Sequence, residues 1–150
     1  GIHFKLKYTE IKKAIENYIP TNNRSQIIEK ESNHILLDAY NANPSSMEVA
    51  LDNFSKLKKA SKVVILGDMF ELGAQSTIEH QVIVNLADSM TFSQTLYVGE
   101  HFYKANTQNK QFRNFEALKA YITANPLKQE SILIKGSRGM QLERLLEFIN

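Results

Sequence analysis

Apolar positions along this chain alternate between helical spacing and short, nearly continuous runs. Ile11, Ala14, Ile15 and Tyr18 share one side of a predicted helix from Thr9 to Tyr18, which Pro20 closes. Ser25 to Lys30 and His34 to Leu37 read as two strands around the polar turn Glu31-Ser32-Asn33. Pro44 is followed by Ser45-x-x-Glu48, a capping-box pattern. It predicts a helix to about Lys59 with Met47, Ala50, Leu51, Phe54 and Leu57 on its apolar stripe. A second box, Ser76-x-x-Glu79, opens a helix carrying Ile78, Val82, Leu86 and Met90.

Lys62 to Leu66, Thr95 to Val98 and Ser131 to Ile134 are short apolar segments of the kind that form strands buried on both faces. Between the last two lie a turn of helix near Glu100 to Lys104, a strand near Gln111 to Arg113, and a helix from Phe115 to about Ala124 that Asn125-Pro126 stops. A final helix is expected after Gly139, with Leu142, Leu145, Leu146 and Ile149 facing inward. Short strands alternating with amphipathic helices, roughly thirty residues per unit, predict an α/β fold. The expected form is a three-layer, Rossmann-like, mainly parallel sheet whose opening hairpin supplies an antiparallel edge. The first stretch differs from the rest. Residues 1–22 read as the terminal helix and linker of a preceding domain, and 23–150 as the domain proper.

Bulk properties narrow the function. A formal charge of +2 with no basic run argues against a nucleic-acid or membrane-surface partner. Val63-Val64-Ile65-Leu66 and the other apolar runs are too short to cross a bilayer. No targeting segment opens the chain, and cysteine is absent, which suits a reducing cytoplasm. The sequons at Asn23 and Asn53 are therefore expected to be chance matches. His3, His34, His80 and His101 lack metal-ligand spacing, so no metal site is expected.

Ligands of open parallel sheets collect at loops leaving the carboxyl ends of strands. Three such loops are candidates. In Asp38-Ala39-Tyr40-Asn41-Ala42-Asn43-Pro44, a strand-end carboxylate suits a ribose diol and the asparagines suit an amide or purine edge; the same residues also build ordinary turns. In Gly67-Asp68-Met69-Phe70-Glu71-Leu72-Gly73, Asp68 and Glu71 are candidates for an acid/base pair or an ammonium site, or are solvated loop residues; the loop lacks the ending of a phosphate loop. In Lys135-Gly136-Ser137-Arg138-Gly139, two glycines before a helix start, with Lys135, Ser137 and Arg138, suit a carboxylate or phosphate, or form a plain strand-to-helix turn.

Together, Asn23-Arg24-Ser25-Gln26, DAYNANPSSM (residues 38–47), LGDMFELG (66–73) with His80, and KGSRGM (135–140) resemble the carboxy-terminal domain of the Mur ligases over essentially the whole chain. The resemblance implies a three-domain enzyme that uses ATP to join D-alanyl-D-alanine to UDP-N-acetylmuramoyl-tripeptide through an acyl phosphate. It implies that Arg24 reaches the ATP γ-phosphate and Asp38 takes the ribose hydroxyls. Asn41 and Asn43 would line the nucleotide or dipeptide side, and Lys135, Ser137 and Arg138 would meet the incoming amino-acid substrate. Mg2+ would sit in a central domain whose GxxxxGK[ST] loop does not occur here, so the chain alone is expected to be inactive. Two other readings compete. One is a stand-alone nucleotide-binding or interaction module. The other is a signalling receiver, which Asp68 and Lys135 fit loosely, although Asp38 lacks the acidic neighbour that a receiver needs for magnesium.

Overall fold

The central strands are apolar along their length because each is covered on both faces, as the computed structural model shows for residues 26–59 and 61–149. The expected Thr9–Tyr18 helix, the linker and Arg24 lie outside these described residues. Six strands form one sheet: β1 (Gln26–Lys30), β2 (Asn33–Asp38), β3 (Lys62–Gly67), β4 (Gln94–Val98), β5 (Lys110–Phe112) and β6 (Ser131–Lys135). Their order is β1-β2-β6-β3-β4-β5. β1 pairs with β2 antiparallel and every other pairing is parallel, so the mixed sheet with an antiparallel edge is as expected.

From β2 the chain advances across the sheet to β3, β4 and β5, then returns to insert β6 between β2 and β3. Right-handed crossovers place the outward connections on one face and the return on the other. The connecting helices are α1 (Pro44–Ser55), α2 (Ser76–Asp88), α3 (Glu100–Tyr103) and α4 (Phe115–Ala124). Met47, Leu51 and Phe54 of α1, Ile83, Val84 and Ala87 of α2 and Phe102 of α3 pack on Val64, Leu66, Tyr97 and Leu133. Leu118 and Ile122 of α4, with Leu142, Leu145 and Ile149, pack on Val63, Ile65, Ile132 and Ile134. Alternate residues of one strand thus feed two cores, as pleating requires.

Several local expectations are corrected. The first helix ends at Ser55, and its capping box is made by Asn43 and Ser46 rather than by Ser45 and Glu48. Pro44 suits the first helical position, which moves the cap one residue before it. Asn43 Oδ1 accepts from Ser46 N at 2.8 Å, and Ser46 Oγ accepts from Asn43 N at 3.1 Å. In α2 there is no side-chain cap, because a 3-10 turn over Gly73–Gln75 runs straight into the helix. The expected stripe of that helix is largely its outer face: Ile78 and Val82 are 58% and 51% exposed. The buried side carries Ser76, His80, Ile83, Val84 and Ala87, with Leu86 and Met90 partly covered at its margin. Two polar residues lie inward because they find hydrogen-bond partners there, which an apolar count overlooks.

The last helix is not an α-helix. It consists of 3-10 segments over Arg138–Met140 and Leu142–Glu147, separated by Gln141 at φ 51°. Three residues per turn align Leu142 with Leu145, and both are buried as expected with Ile149, while Leu146 is only partly covered.

The inward face of α2 is testable. Ile83→Ala should cost about 2–5 kcal/mol in urea denaturation, whereas Ile78→Ser with Val82→Ser should stay within about 0.5 kcal/mol per site.

Candidate functional site

Asp38 and Lys135 end β2 and β6, and the parallel register sets them side by side. Lys135 is 2% exposed and Asp38 9%, and the ammonium bonds to Asp38 Oδ2 at 2.7 Å and to the Asn41 carbonyl at 3.1 Å. A buried ammonium is tolerated only when paired in this way. The Lys135 cation is thus taken up by Asp38 and by the loop after it. Asp38 keeps 12% of its side chain exposed. Asn41 contributes its carbonyl to Lys135 while the residue itself is exposed. The Asn43 side chain is the helix cap described above, so the turn-building role accounts for it.

The Gly136 turn lies against Gly67. A Cβ on Gly136 would stand 3.1 Å from Gly67 Cα and 2.8 Å from Leu142 Cδ1, so two backbones meet where no side chain fits. Ser137 then clamps the neighbouring loop from both sides. Its N–H donates to the Asp68 carbonyl at 3.1 Å, and its Oγ accepts from Phe70 N at 2.8 Å. Arg138 is exposed, with its guanidinium 5.4 Å from the Tyr40 ring centroid. Phe70 lies over Gly139. Tyr40, Arg138 and Phe70 therefore form an exposed rim beside Asp38, where β2, β6 and β3 end and the chain leaves for opposite faces.

Asp68 is neither a solvated acid nor an acid/base partner of exposed Glu71. It is 2% exposed, and its two oxygens accept from His101 N and Phe102 N, each at 2.9 Å, at the start of α3. A carboxylate engaged in this way is not presented for phosphorylation, which removes the receiver reading. Gly99, at φ 123° and ψ 160°, makes room for it: a Cβ there would fall 2.2 Å from the Asp68 carboxylate carbon.

Behind this loop, His80 is fully buried. Its Nε2 accepts from Met69 N at 3.0 Å, so the neutral ring carries its proton on Nδ1, 2.7 Å from the Ser76 carbonyl. Ser76 Oγ lies 3.1 Å from His101 Nδ1, and the two imidazoles stack at 4.9 Å. Burial lowers the His80 pKa, against the opposing pull of the Ser76 carbonyl and Asp68. Sequence reading had no role for this network, although Ser76 and His80 at i,i+4 on one helix face were its available signal. Among the described residues, no three His, Cys, Asp or Glu side chains converge to hold a metal, and no helix is long and apolar enough to cross a membrane.

An open, mainly parallel sheet with polar loops gathered at its switch point defines a doubly wound α/β domain, a class whose ligands bind at that edge. Residues 23–138 match the family model described as Mur ligase, glutamate ligase domain, and the chain belongs to that family. It is 32% identical over 134 residues to the UDP-N-acetylmuramoyl-tripeptide–D-alanyl-D-alanine ligase of Rickettsia prowazekii, covering 85% of this chain and 30% of that protein. The ligase of the same name from Buchnera aphidicola is 32% identical over 149 residues, covering 95% and 32%. The chain thus spans about a third of the length of these curated relatives. Its backbone superposes on MurF from Acinetobacter baumannii with a TM-score of 0.73 at 27% identity, over 85% of this chain and 29% of that one. MurF ligase from Thermotoga maritima, solved in complex with ADP, gives 0.71 at 20% identity over 85% and 30%, a likeness of fold.

Two outcomes follow from the loop network. Gly99→Ala should destabilise by on the order of 3 kcal/mol, because the backbone region is nearly glycine-only and the Asp68 carboxylate fills the space; thermal melting would show it. His80 also gives stability a pH dependence. Its folded pKa lies below the ordinary 6.5, so the unfolded chain binds the proton first on acidification. Stability is complete above pH 6.5 and declines as the pH falls from there toward the folded value, by at most about 1.4 kcal/mol per pH unit. His34, whose pKa is lowered by burial and then by Lys59, acts in the same sense. Melting curves between pH 7.5 and roughly pH 5 would register both.

Proposed function

We propose that this chain is the carboxy-terminal domain of an ATP-dependent ligase that joins D-alanyl-D-alanine to UDP-N-acetylmuramoyl-tripeptide in the cytoplasm. The observation that carries the reading is the placing of Asp38 and the KGSRG turn on one rim at the switch point, within a chain whose relatives bear that ligase's name. In the reaction, the ATP γ-phosphoryl group passes to the terminal carboxylate of the tripeptide, giving an acyl phosphate and ADP. The amine of D-alanyl-D-alanine attacks the acyl carbon and loses a proton as inorganic phosphate departs.

Such chemistry depends on positioning and on charge stabilisation rather than on a protein nucleophile. Asp38 accepts the ribose hydroxyls, held in place by Lys135. Arg138, exposed against Tyr40, offers its guanidinium to the dipeptide carboxylate, and a fork of donors suits that planar anion. Ser137 fixes the turn that presents it. Asn41 belongs to the nucleotide side through its loop. Arg24 is assigned to the γ-phosphate, residues 1–22 to the end of a preceding ATPase domain, and 23–150 to this domain; the start of the family match at residue 23 supports that division. Mg2+ is held, on this reading, by the adjoining domain. On this reading the chain alone does not turn over.

Asp38→Asn, in the ligase carrying this chain with its adjoining domains, tests the assignment. The amide can still accept from Lys135, yet it loses the charged acceptor. The KM for ATP should rise about 10- to 100-fold, as expected for removing a charge-assisted hydrogen bond, and the melting temperature should fall as well, because the buried Lys135 ammonium loses its anion. An unchanged KM for ATP would place the nucleotide elsewhere.

A further inference from the structure

Met69, fully buried, sits between the two residues that grip Ser137, and its own N–H is taken by His80. On one side the Asp68 carbonyl accepts from Ser137 N, and on the other Phe70 N donates to Ser137 Oγ. The Phe70 ring then lies over Gly139, so both flanks of Arg138 are held by this one loop. We propose that His80 is a positioning residue: as a neutral acceptor for Met69 N–H, it sets the Ser137–Arg138 turn that faces the incoming amine substrate. The assignment of that substrate to Arg138 rests on the preceding section, while the mechanical link does not.

A protonated imidazole has no acceptor to offer. Its Nε2–H would then confront the Met69 N–H, two donors at 3.0 Å. The ring has little room to turn away, because His101 of α3 stacks on one face at 4.9 Å and Phe102 meets it edge-on at 4.7 Å. The titratable groups that face it are Asp68, whose Oδ1 is 3.9 Å from Nε2, His101, and Glu79 of its own helix. Asp68 would draw the new proton toward itself and away from Met69, and the same Oδ1 also holds the start of α3 through Phe102 N. Protonation therefore exchanges one hydrogen bond for another across the Asp68–Phe70 loop that grips Ser137, and the turn follows.

The experiment is a pH titration of the 150-residue chain by nuclear magnetic resonance, without substrate. The His80 ring should be protonated on Nδ1 alone at neutral pH. On acidification the amides of Met69, Phe70, Ser137 and Arg138 should shift with the midpoint of the His80 ring. His80→Gln, whose side-chain carbonyl can accept from Met69 without titrating, should flatten those shifts, and His101→Asn should leave them in place. Titration of the His80 ring with Ser137 and Arg138 unmoved would overturn the proposal, and the wild-type chain alone decides that point if His80→Gln folds poorly. So would the same shifts persisting in His80→Gln.

In the ligase assay, the KM for D-alanyl-D-alanine should rise several-fold as the pH falls through the midpoint of the His80 ring, which lies below the ordinary imidazole value, with kcat little changed, and His80→Gln should remove that rise. A relay seen in the spectra with a flat dipeptide KM would overturn the link to substrate while leaving the nucleotide role of Asp38 standing. An unchanged KM for ATP in Asp38→Asn would sink that role without touching the relay.

Discussion

The buried pair of Lys135 and Asp38 constrains how the strand ends of this sheet meet. An ammonium at 2% exposure requires an anion within hydrogen-bond reach, and the carboxylate that answers it ends the neighbouring strand. That requirement ties the end of β6 to the end of β2. With β3 on its other side, β6 brings Gly136 against Gly67, and the close approach of those backbones lets Ser137 reach the loop of Asp68 and Phe70. Charge burial at one rung of the sheet thereby organises three loops.

Much of the architecture was legible because strands covered on both faces must be apolar throughout, and Val63 to Leu66, Thr95 to Val98 and Ser131 to Ile134 are so. The error at α2 has a physical cause. Sequence patterning treats polar residues as outward-facing, whereas Ser76 and His80 lie inward with partners of their own and rotate α2 away from the stripe of Ile78 and Val82. At the first helix, Asn43 competes with Ser45 for the cap, and the presence of Pro44 at the next position decides between them. The end of the chain reads equally well as α-helix or 3-10 helix, since Leu142 and Leu145 satisfy both periods.

The candidate site divides along the same line. Asp38, Ser137 and Arg138 were recognisable by residue type and loop position, and the family resemblance sharpened them. The partnership of Asp38 with Lys135 was not, because 97 residues separate them and only the strand order makes them neighbours. Asp68 looked like free acidity, but its partners are the backbone N–H groups of His101 and Phe102, which no side-chain pattern announces. Gly99 was the remaining clue. A glycine directly after a buried strand, at a φ that other residues avoid, marks the space that the carboxylate occupies.

The insertion of β6 also has a bearing on how this domain is made. It is the last strand of the sheet in chain order, yet it occupies a central position and pairs with two strands translated well before it. Until it emerges from the ribosome, β2 and β3 each present an unpaired edge, and neither half of the sheet is closed. Closing the sheet is therefore a long-range step, open to the chain only after residues 131–135 have been made. The exposed rim beside Asp38 is complete only once this strand is in place.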